Sequence, residues 1–394
     1  KRGIGLRKSD LDENGKNKCI LYGELYTKHK NVLIKSCNIS KTKKISTVES
    51  KKGDILVPGT STASKKDMLL AREIDEDGVF IGGDINIIRP KQGIFAKKYL
   101  PYFFETYIAY DQMDRYITGA TGIIHISNKG LKKLKLPLPT FKEQQRIVSI
   151  LDRAFAAIDK AKANAQKNLK NAAALFESYL QDVFENQGED WEEKSLGQIG
   201  KVSMCKRILK KETSNEGEIP FYKIGTFGKE PNAFISKNLY DKYLAKYSYP
   251  KKGDILISAS GTIGRRVIYD GEPAYFQDSN IVWIDNDEKQ VLNDFLYFFY
   301  GQCDWNPSRG ATISRLYNDD LRKIKINFPT LSEQKDLAFR FSKLKEESEK
   351  LGTLNQKKID ALDELKKSLL QKAFEGELYD DEATKLKIEN ELPL

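Results

Sequence analysis

The sequence predicts an α+β fold written twice: two similar α/β domains, joined by two long helices that form an antiparallel coiled coil, with an internal pseudo-two-fold repeat. Three observations predict it. Lys51-Lys-Gly-Asp-Ile-Leu56 recurs letter for letter as Lys251-Lys-Gly-Asp-Ile-Leu256, an offset of 200. A string of further matches follows each copy in the same order. Each copy then runs into a long stretch whose apolar residues keep a 4-3 spacing.

The first part of each repeat reads as a compact mixed domain. Turn signals break it at Asp12-Glu-Asn-Gly15, Lys52-Gly53, Gly82-Gly83, Asn215-Glu-Gly217 and Gly271. Between them lie short β-rich runs, Ile55-Leu-Val57 and Ile85-Asn-Ile-Ile88 in the first copy, Ile255-Leu-Ile257 and Ile281-Val-Trp-Ile284 in the second. Asp84-Ile-Asn-Ile matches Asp278-Ser-Asn-Ile, and Gly119-Ala-Thr121 matches Gly310-Ala-Thr312. The aromatic stretches at 97–116 and 291–303 have helix length.

The long helices open on capping-box patterns directly after a proline, Thr140-Phe-Lys-Glu143 and Thr330-Leu-Ser-Glu333. From Glu143 to Phe184 there is no Pro or Gly. Ile147, Leu151, Ala154, Ile158, Ala161, Ala165, Ala172, Leu175 and Tyr179 form the expected seam. The distal copy repeats it at an offset of 190 with Leu337, Phe341, Leu344, Ser348, Leu351, Asn355, Leu362, Leu365 and Leu369, with Gly352 as a weak point. Asn168 and Lys358 fall at matching seam slots, where a buried polar group fixes register and partner. The resulting partition is a first domain at 1–140, a central helix at 141–190, a second domain at 191–330, a distal helix at 331–379 and an acidic tail at 380–394. Trp191 to Gly200 has no counterpart at the front of the first copy, so the opening of the first domain is expected to be missing.

Composition narrows the function classes. The 394 residues carry 66 Lys+Arg against 56 Asp+Glu, a formal charge of +10, which favours an acidic partner. No apolar run reaches the roughly 18 residues of a membrane span. Cys19, Cys37, Cys205 and Cys303 show no C-x-x-C spacing, which fits a cytoplasmic protein and argues against a zinc site. No phosphate loop of the G-x-x-x-x-G-K-[ST] type occurs, and Gly59-Thr-Ser-Thr-Ala-Ser-Lys-Lys66 lacks its second Gly. The nearest string to the Asn/Asp-Pro-Pro-aromatic clamp of an amino-methyltransferase, Asn306-Pro307-Ser308, fails. Glu192-Glu-Lys194 reads as a solvated charge run. No catalytic residue, metal site or cofactor is expected.

Gly-Asp-Ile-Leu followed by a Ser/Gly/Thr loop, then Gly-Ala-Thr, then Pro-Thr-x-x-Glu-Gln opening a long helix, all twice, closely resembles the specificity (S) subunit of Type I restriction-modification systems. The resemblance covers nearly the whole chain. It implies two target recognition domains that read a split double-stranded DNA sequence. It also implies two modification (methyltransferase) subunits held by the helices, with ATP-dependent restriction subunits attached through the complex. The alternative is a self-contained DNA methyltransferase or nuclease with unrecognised catalytic residues. A pair of helices about 63 Å long at ~1.5 Å per residue would act as a ruler between half-sites about one DNA turn or more apart.

A domain that reads different DNA should differ where it reads. The repeated Lys-Lys-Gly-Asp-Ile-Leu is therefore expected to be a turn and a buried strand, and the loops behind it the readers. Pro58 to Lys66 offers Ser61, Thr62, Lys65 and Lys66; Ser258 to Arg266 offers Ser258, Ser260, Thr262, Arg265 and Arg266. Hydroxyls and paired cations are the equipment for phosphate and base-edge contacts. Arg309 and Arg315, and Arg115 with the Gly-Ala-Thr turn, form a second candidate surface, and Lys43 and Lys44 a basic cluster that includes Lys41. His125, among Ile123, Ile124 and Ile126, is expected in the core. Ile147, Leu151, Ile158, Leu175, Leu337, Phe341, Leu344, Leu351, Leu362, Leu365 and Leu369 are expected at helix–helix or subunit interfaces.

Overall fold

The computed structural model describes every residue except 63, 120–121, 306–314, 379–391 and 394. The chain divides into two compact units, one of residues 1–166 with 356–394, the other of residues 167–355. The division falls within the long helices, so each unit owns one mixed domain and a stretch of both helices.

In the first unit the strand Ile55–Pro58 lies between Arg72–Ile74 and Ile85–Ile88, antiparallel to both, with Leu33–Ile34 outside Arg72–Ile74. A second small sheet sets Asn17–Ile20 between Ser40–Thr42, antiparallel, and Phe80–Ile81, parallel. The second unit repeats this plan. Ile255–Ser258 pairs with Arg266–Ile268 and Ile281–Asn286, which also pairs with Gly200–Ser203, and Ile219–Tyr222 lies between Phe234–Ile235 and Tyr275–Phe276. Register refines the repeat: Ile85 opposes Pro58 and Ile281 opposes Ser258. Asp84 therefore matches Asn280, two residues from the alignment that the sequence suggests.

Apolar alternation explains the layering. Both faces of Ile55–Pro58 and of Ile255–Ser258 are buried, and the aromatic helices Tyr99–Phe104 and Asn293–Gln302 pack against them. The core of the first unit continues into the helices. Ile147, Leu151, Phe155 and Ile158 enter it from the central helix Phe141–Glu185, and Leu370, Ala373 and Phe374 from the distal helix Leu331–Phe374. Phe374 packs on Tyr99 and Phe103, with ring centroids 5.0 and 5.7 Å away. In the second unit Phe176, Leu180 and Phe341 do the same work.

The helices run antiparallel within each unit. In the first, Lys162 bonds Asp363 at 2.6 Å and Asp159 faces Lys366 at 3.6 Å. In the second, the Ser348 hydroxyl donates to the Ala172 carbonyl at 2.8 Å and Leu169 lies over Gly352. The seam differs from the one the spacing predicts. Leu175, Leu351 and Leu365 are 63, 50 and 47% exposed, and Asn168 and Lys358 are exposed as well. Ala161, Ala165, Leu169, Ala172 and Phe176 form the inward row instead, buried or half-buried, and it opens with two successive steps of four, Ala161 to Ala165 to Leu169. That step displaces a heptad seam by one residue. Gly352 is thus a seam residue that faces Leu169, at a distance where a Cβ would make an ordinary contact of 3.5 Å.

Both helix starts carry one buried device. Gln144, 1% exposed, accepts the Ala96 N–H at 2.9 Å and donates to the carbonyls of Ile94 and Pro139 at 3.1 and 3.0 Å. Gln334, fully buried, accepts the Leu292 N–H and donates to the carbonyls of Gln290 and Pro329, all at 2.8 Å. The Gln of each Pro-Thr-x-x-Glu-Gln string fastens the loop before the aromatic helix to the start of the long helix.

Candidate nucleic-acid interface

The repeated Lys-Lys-Gly-Asp-Ile-Leu positions the site without belonging to it. Gly53 and Gly253 have φ of +87° and +93°, the left-handed conformation that glycine adopts freely. The next residue's carboxylate accepts the N–H of Lys51 or Lys251 at 2.8 Å and closes the turn. Asp54 also grips Arg89 through two bonds of 2.7 and 2.6 Å. Asp254 has no such partner, and its burial raises its pKa above the ordinary carboxylate value.

The strand from this turn delivers the loop that the sequence singles out, and the structure joins it to the second candidate surface. In the first unit, the Ile126 N–H donates to the Gly59 carbonyl at 3.0 Å and Thr60–Ser61 pairs with Ile124–His125. Thr118 and His125 exchange backbone bonds of 2.9 and 2.7 Å, which ties the residue before Gly119 to the strand that carries His125; Ala120 and Thr121 lie outside the described residues. Gly119 is needed there, because a Cβ would come within 2.3 Å of the Ile123 carbonyl oxygen. The Asn86 amide supports the junction from below by donating to the Ile126 carbonyl at 3.0 Å.

His125 corrects the sequence expectation. It is exposed, while Ile126 is 1% exposed. Alternation along the strand turns the imidazole outward, where its Nδ1 lies 3.1 Å from the Thr60 hydroxyl. Nearby, the Ser61 hydroxyl donates to Asp67 at 3.2 Å, Lys65 pairs with Asp114 at 2.6 Å, and Thr62, Lys66 and Arg115 are exposed. Lys43 and Lys44 follow the strand Ser40–Thr42 in the other sheet. They pair with Asp12 and Asp10 at 2.6 and 2.8 Å and hold both carboxyls below the usual range.

The second unit builds the same junction. The Leu316 N–H donates to the Ala259 carbonyl at 2.9 Å, and Ser260 bridges Arg315. The Ser260 hydroxyl donates to Asn280 at 2.8 Å. Arg315 reaches the Ser279 carbonyl at 3.4 Å and lies 5.9 Å from the centroid of the Tyr317 ring. Other candidates shape the loop itself. The Ser258 hydroxyl donates to the Thr262 carbonyl at 2.5 Å and accepts the Arg265 N–H at 2.9 Å. The Arg265 guanidinium donates to the Phe227 carbonyl at 2.9 Å, and Arg266 stacks over Tyr297 at 4.7 Å. Arg309 lies outside the described residues.

Sequence reasoning missed one basic and aromatic group. Lys206 and Lys246 lie 5.2 and 5.7 Å from the Tyr247 ring centroid, and Arg207 pairs with Asp278 at 2.8 Å, one residue before Ser279. The adjacent cations Lys206 and Arg207 were a visible signal. Their partners stand some 40 and 70 residues away in sequence, so no motif marks the cluster. Among the described residues no group of three or more His, Cys, Asp or Glu could hold a metal ion.

Comparison with known proteins agrees with this architecture. The model of the Type I restriction modification DNA specificity domain matches residues 1–170 and again 188–358. A putative type I restriction enzyme specificity subunit of Haemophilus influenzae is 52% identical over 207 residues, 52% of this chain and 54% of that protein, so the match spans about half the length of each. The MjaX specificity subunit of Methanocaldococcus jannaschii, also described as putative, is 24% identical over 83% of this chain and 78% of its own length. Among solved structures, a chain from a type I R-M system superposes with a TM-score of 0.69 at 18% identity, covering 84% of this chain and 83% of that one. The HsdS subunit of Thermoanaerobacter tengcongensis gives 0.55 at 18% identity, over 84% and 82%. With its two matched stretches taking in most of the sequence, the chain belongs to the family of Type I restriction-modification DNA specificity domains and carries that domain twice.

Proposed function

We propose that this chain is the DNA-sequence specificity subunit of a Type I restriction-modification complex, supplying recognition and no chemistry of its own. One observation carries the reading: the same loop junction is built twice on the same backbone bonds, Ile126 to Gly59 and Leu316 to Ala259, with different side chains on it. A reader of two unrelated half-sites needs that combination of fixed scaffold and variable surface. The DNA-contacting set is drawn from Lys43, Lys44, Ser61, Thr62, Lys65 and Lys66 in the first domain, and from Ser258, Ser260, Thr262, Arg265, Arg266, Arg309 and Arg315 in the second.

The partners are double-stranded DNA, two modification subunits and, through them, restriction subunits, in the cytoplasm. Among the described residues no helix is long and apolar enough to cross a membrane. The helix positions divide by exposure. Ile147, Leu151, Ile158 and Phe341 are buried, whereas Leu175, Phe339, Leu351 and Leu354 of the second unit and Leu365 of the first stand 47 to 70% exposed. We assign the docking of modification subunits to these exposed residues, with each unit offering its own patch. Leu351→Asp with Leu354→Asp is expected to abolish co-purification with the modification subunit at unchanged helicity.

The reading is tested by reconstituting the chain with its modification subunit and methylating a randomised duplex library. A bipartite methylated motif is expected, and exchange of residues 191–330 for those of a relative should replace one half of it. Turnover by the chain alone with S-adenosylmethionine, Mg²⁺ and DNA would instead favour a self-contained enzyme.

A further inference from the structure

We infer that His125 and Arg315 are equivalent positions of the two domains and that each reads a base edge in its own half-site. The inference rests on the specificity-subunit reading and names residues within it. The equivalence is geometric. His125 precedes Ile126, whose N–H is tied to the Gly59 carbonyl at 3.0 Å, and Arg315 precedes Leu316, whose N–H is tied to the Ala259 carbonyl at 2.9 Å. Both are paired across the junction with a hydroxyl residue, His125 with Thr60 and Arg315 with Ser260. Each junction also holds an asparagine, at a different place in each domain: Asn86 donates to the Ile126 carbonyl, whereas Asn280 accepts from the Ser260 hydroxyl. Backbone and hydroxyl partner are kept while the side chain changes class, from imidazole to guanidinium.

What each side chain can reach follows from its remaining hydrogen-bonding groups. The Nδ1 edge of His125 faces the Thr60 hydroxyl, which leaves Nε2 on the open side for a single bond to a purine N7 or O6. Arg315 uses one terminal nitrogen on the Ser279 carbonyl, a long 3.4 Å contact. The rest of its planar fork matches the O6 and N7 pair of guanine in the major groove. Arg207 beside Asp278 and Lys206 beside Tyr247 supply cations next to the same turn for the backbone phosphates. The second domain is thus expected to hold one guanine firmly, and the first to prefer a purine more loosely.

The test uses the complex with its modification subunit and a randomised duplex library, with methylated sequences as the readout. Arg315→Ala should relax one position of one half-site, with discrimination there falling about 5- to 150-fold, the range for a lost bidentate contact. The other half-site should be unchanged. Arg315→His, which installs the first domain's residue at the matching place, should weaken the preference for guanine at that position. His125→Ala should relax one position in the opposite half-site by about tenfold, as expected of one hydrogen bond. A uniform loss over all sequences in both Arg315 variants would make the residue a phosphate contact and overturn the inference, as would a wild-type motif retained by both. If the wild-type complex itself shows no sequence preference, the specificity-subunit reading falls; if it is selective and only these variants fail to alter the motif, the present assignment alone falls.

Discussion

Replacing Gln334 with Leu isolates the device that joins a reader to its helix. The side chain is fully buried and makes three bonds of 2.8 Å, to the Leu292 N–H and to the carbonyls of Gln290 and Pro329. Leucine fills a similar volume and strands one donor and two acceptors. At about 1–3 kcal/mol for each orphaned group, with the two carbonyls at the low end, the loss is about 4 kcal/mol. Apolar burial by the new side chain returns about 1 kcal/mol, leaving a net cost of about 3 kcal/mol. All three tryptophans, Trp191, Trp283 and Trp305, belong to the second unit, so tryptophan fluorescence reports on that unit. With a urea dependence of about 2 kcal/mol per molar, the midpoint should fall by about 1.5 M. Thr330→Ala in the same helix start removes an exposed cap that meets Glu333 at 2.8 Å, and should cost about 1 kcal/mol, or about 0.5 M. A shift for Gln334→Leu no larger than that of Thr330→Ala would refute the argument that the buried amide is the fastening.

Other perturbations follow from the same structure. Glu105→Ala leaves the guanidinium of Arg72, 4% exposed and paired with Glu105 at 2.9 Å, buried without its counter-charge; a loss of about 3–5 kcal/mol is expected by calorimetry, and less for Glu105→Gln. His29 is held below its ordinary pKa of 6.5 by burial, and its Nε2 has no partner. The unfolded chain takes up a proton as pH falls through about 6.5 while the folded one does not until lower pH, so stability should drop below that point by at most about 1.4 kcal/mol per pH unit. In His29→Leu, thermal unfolding should show that slope reduced by one proton. Lys206→Ala and Lys246→Ala should each lower the salt dependence of DNA binding by the complex by about one counterion without changing the methylated motif; an unchanged salt slope would place the phosphates elsewhere.

The duplication was legible because the residues that build turns and core face the same physics in both copies. Gly53 and Gly253 must be left-handed, and Ile55-Leu56 and Ile255-Leu256 must be buried, so they stay identical. What was not legible depends on contacts far apart in sequence. Gln144 and Gln334 read as ordinary residues of a helix's first turn, and only the arrival of residues 94–96 and 290–292 makes them buried clamps. His125 was misjudged because three neighbouring isoleucines suggest a core, although alternation buries only Ile126 and leaves Ile123 50% exposed. The heptad reading failed at Leu175, Leu351 and Leu365 because a strict 4-3 count takes no account of a double step of four, after which Phe176 rather than Leu175 faces inward.

The shared ownership of the helices sets an order of events during synthesis. Residues 167–355 form the second unit as one uninterrupted segment, whereas the first unit needs Leu370, Ala373 and Phe374 to cover Tyr99 and Phe103. At about 5–20 residues per second, the ribosome needs roughly 14–54 s after making Phe103 to reach Phe374. The first domain to emerge is therefore the last to close, since Leu370, Ala373 and Phe374 reach its aromatic face only at the end of that interval. A nonsense codon just after Asn355 would leave the nearer domain its whole segment and damage the distant, earlier-translated one.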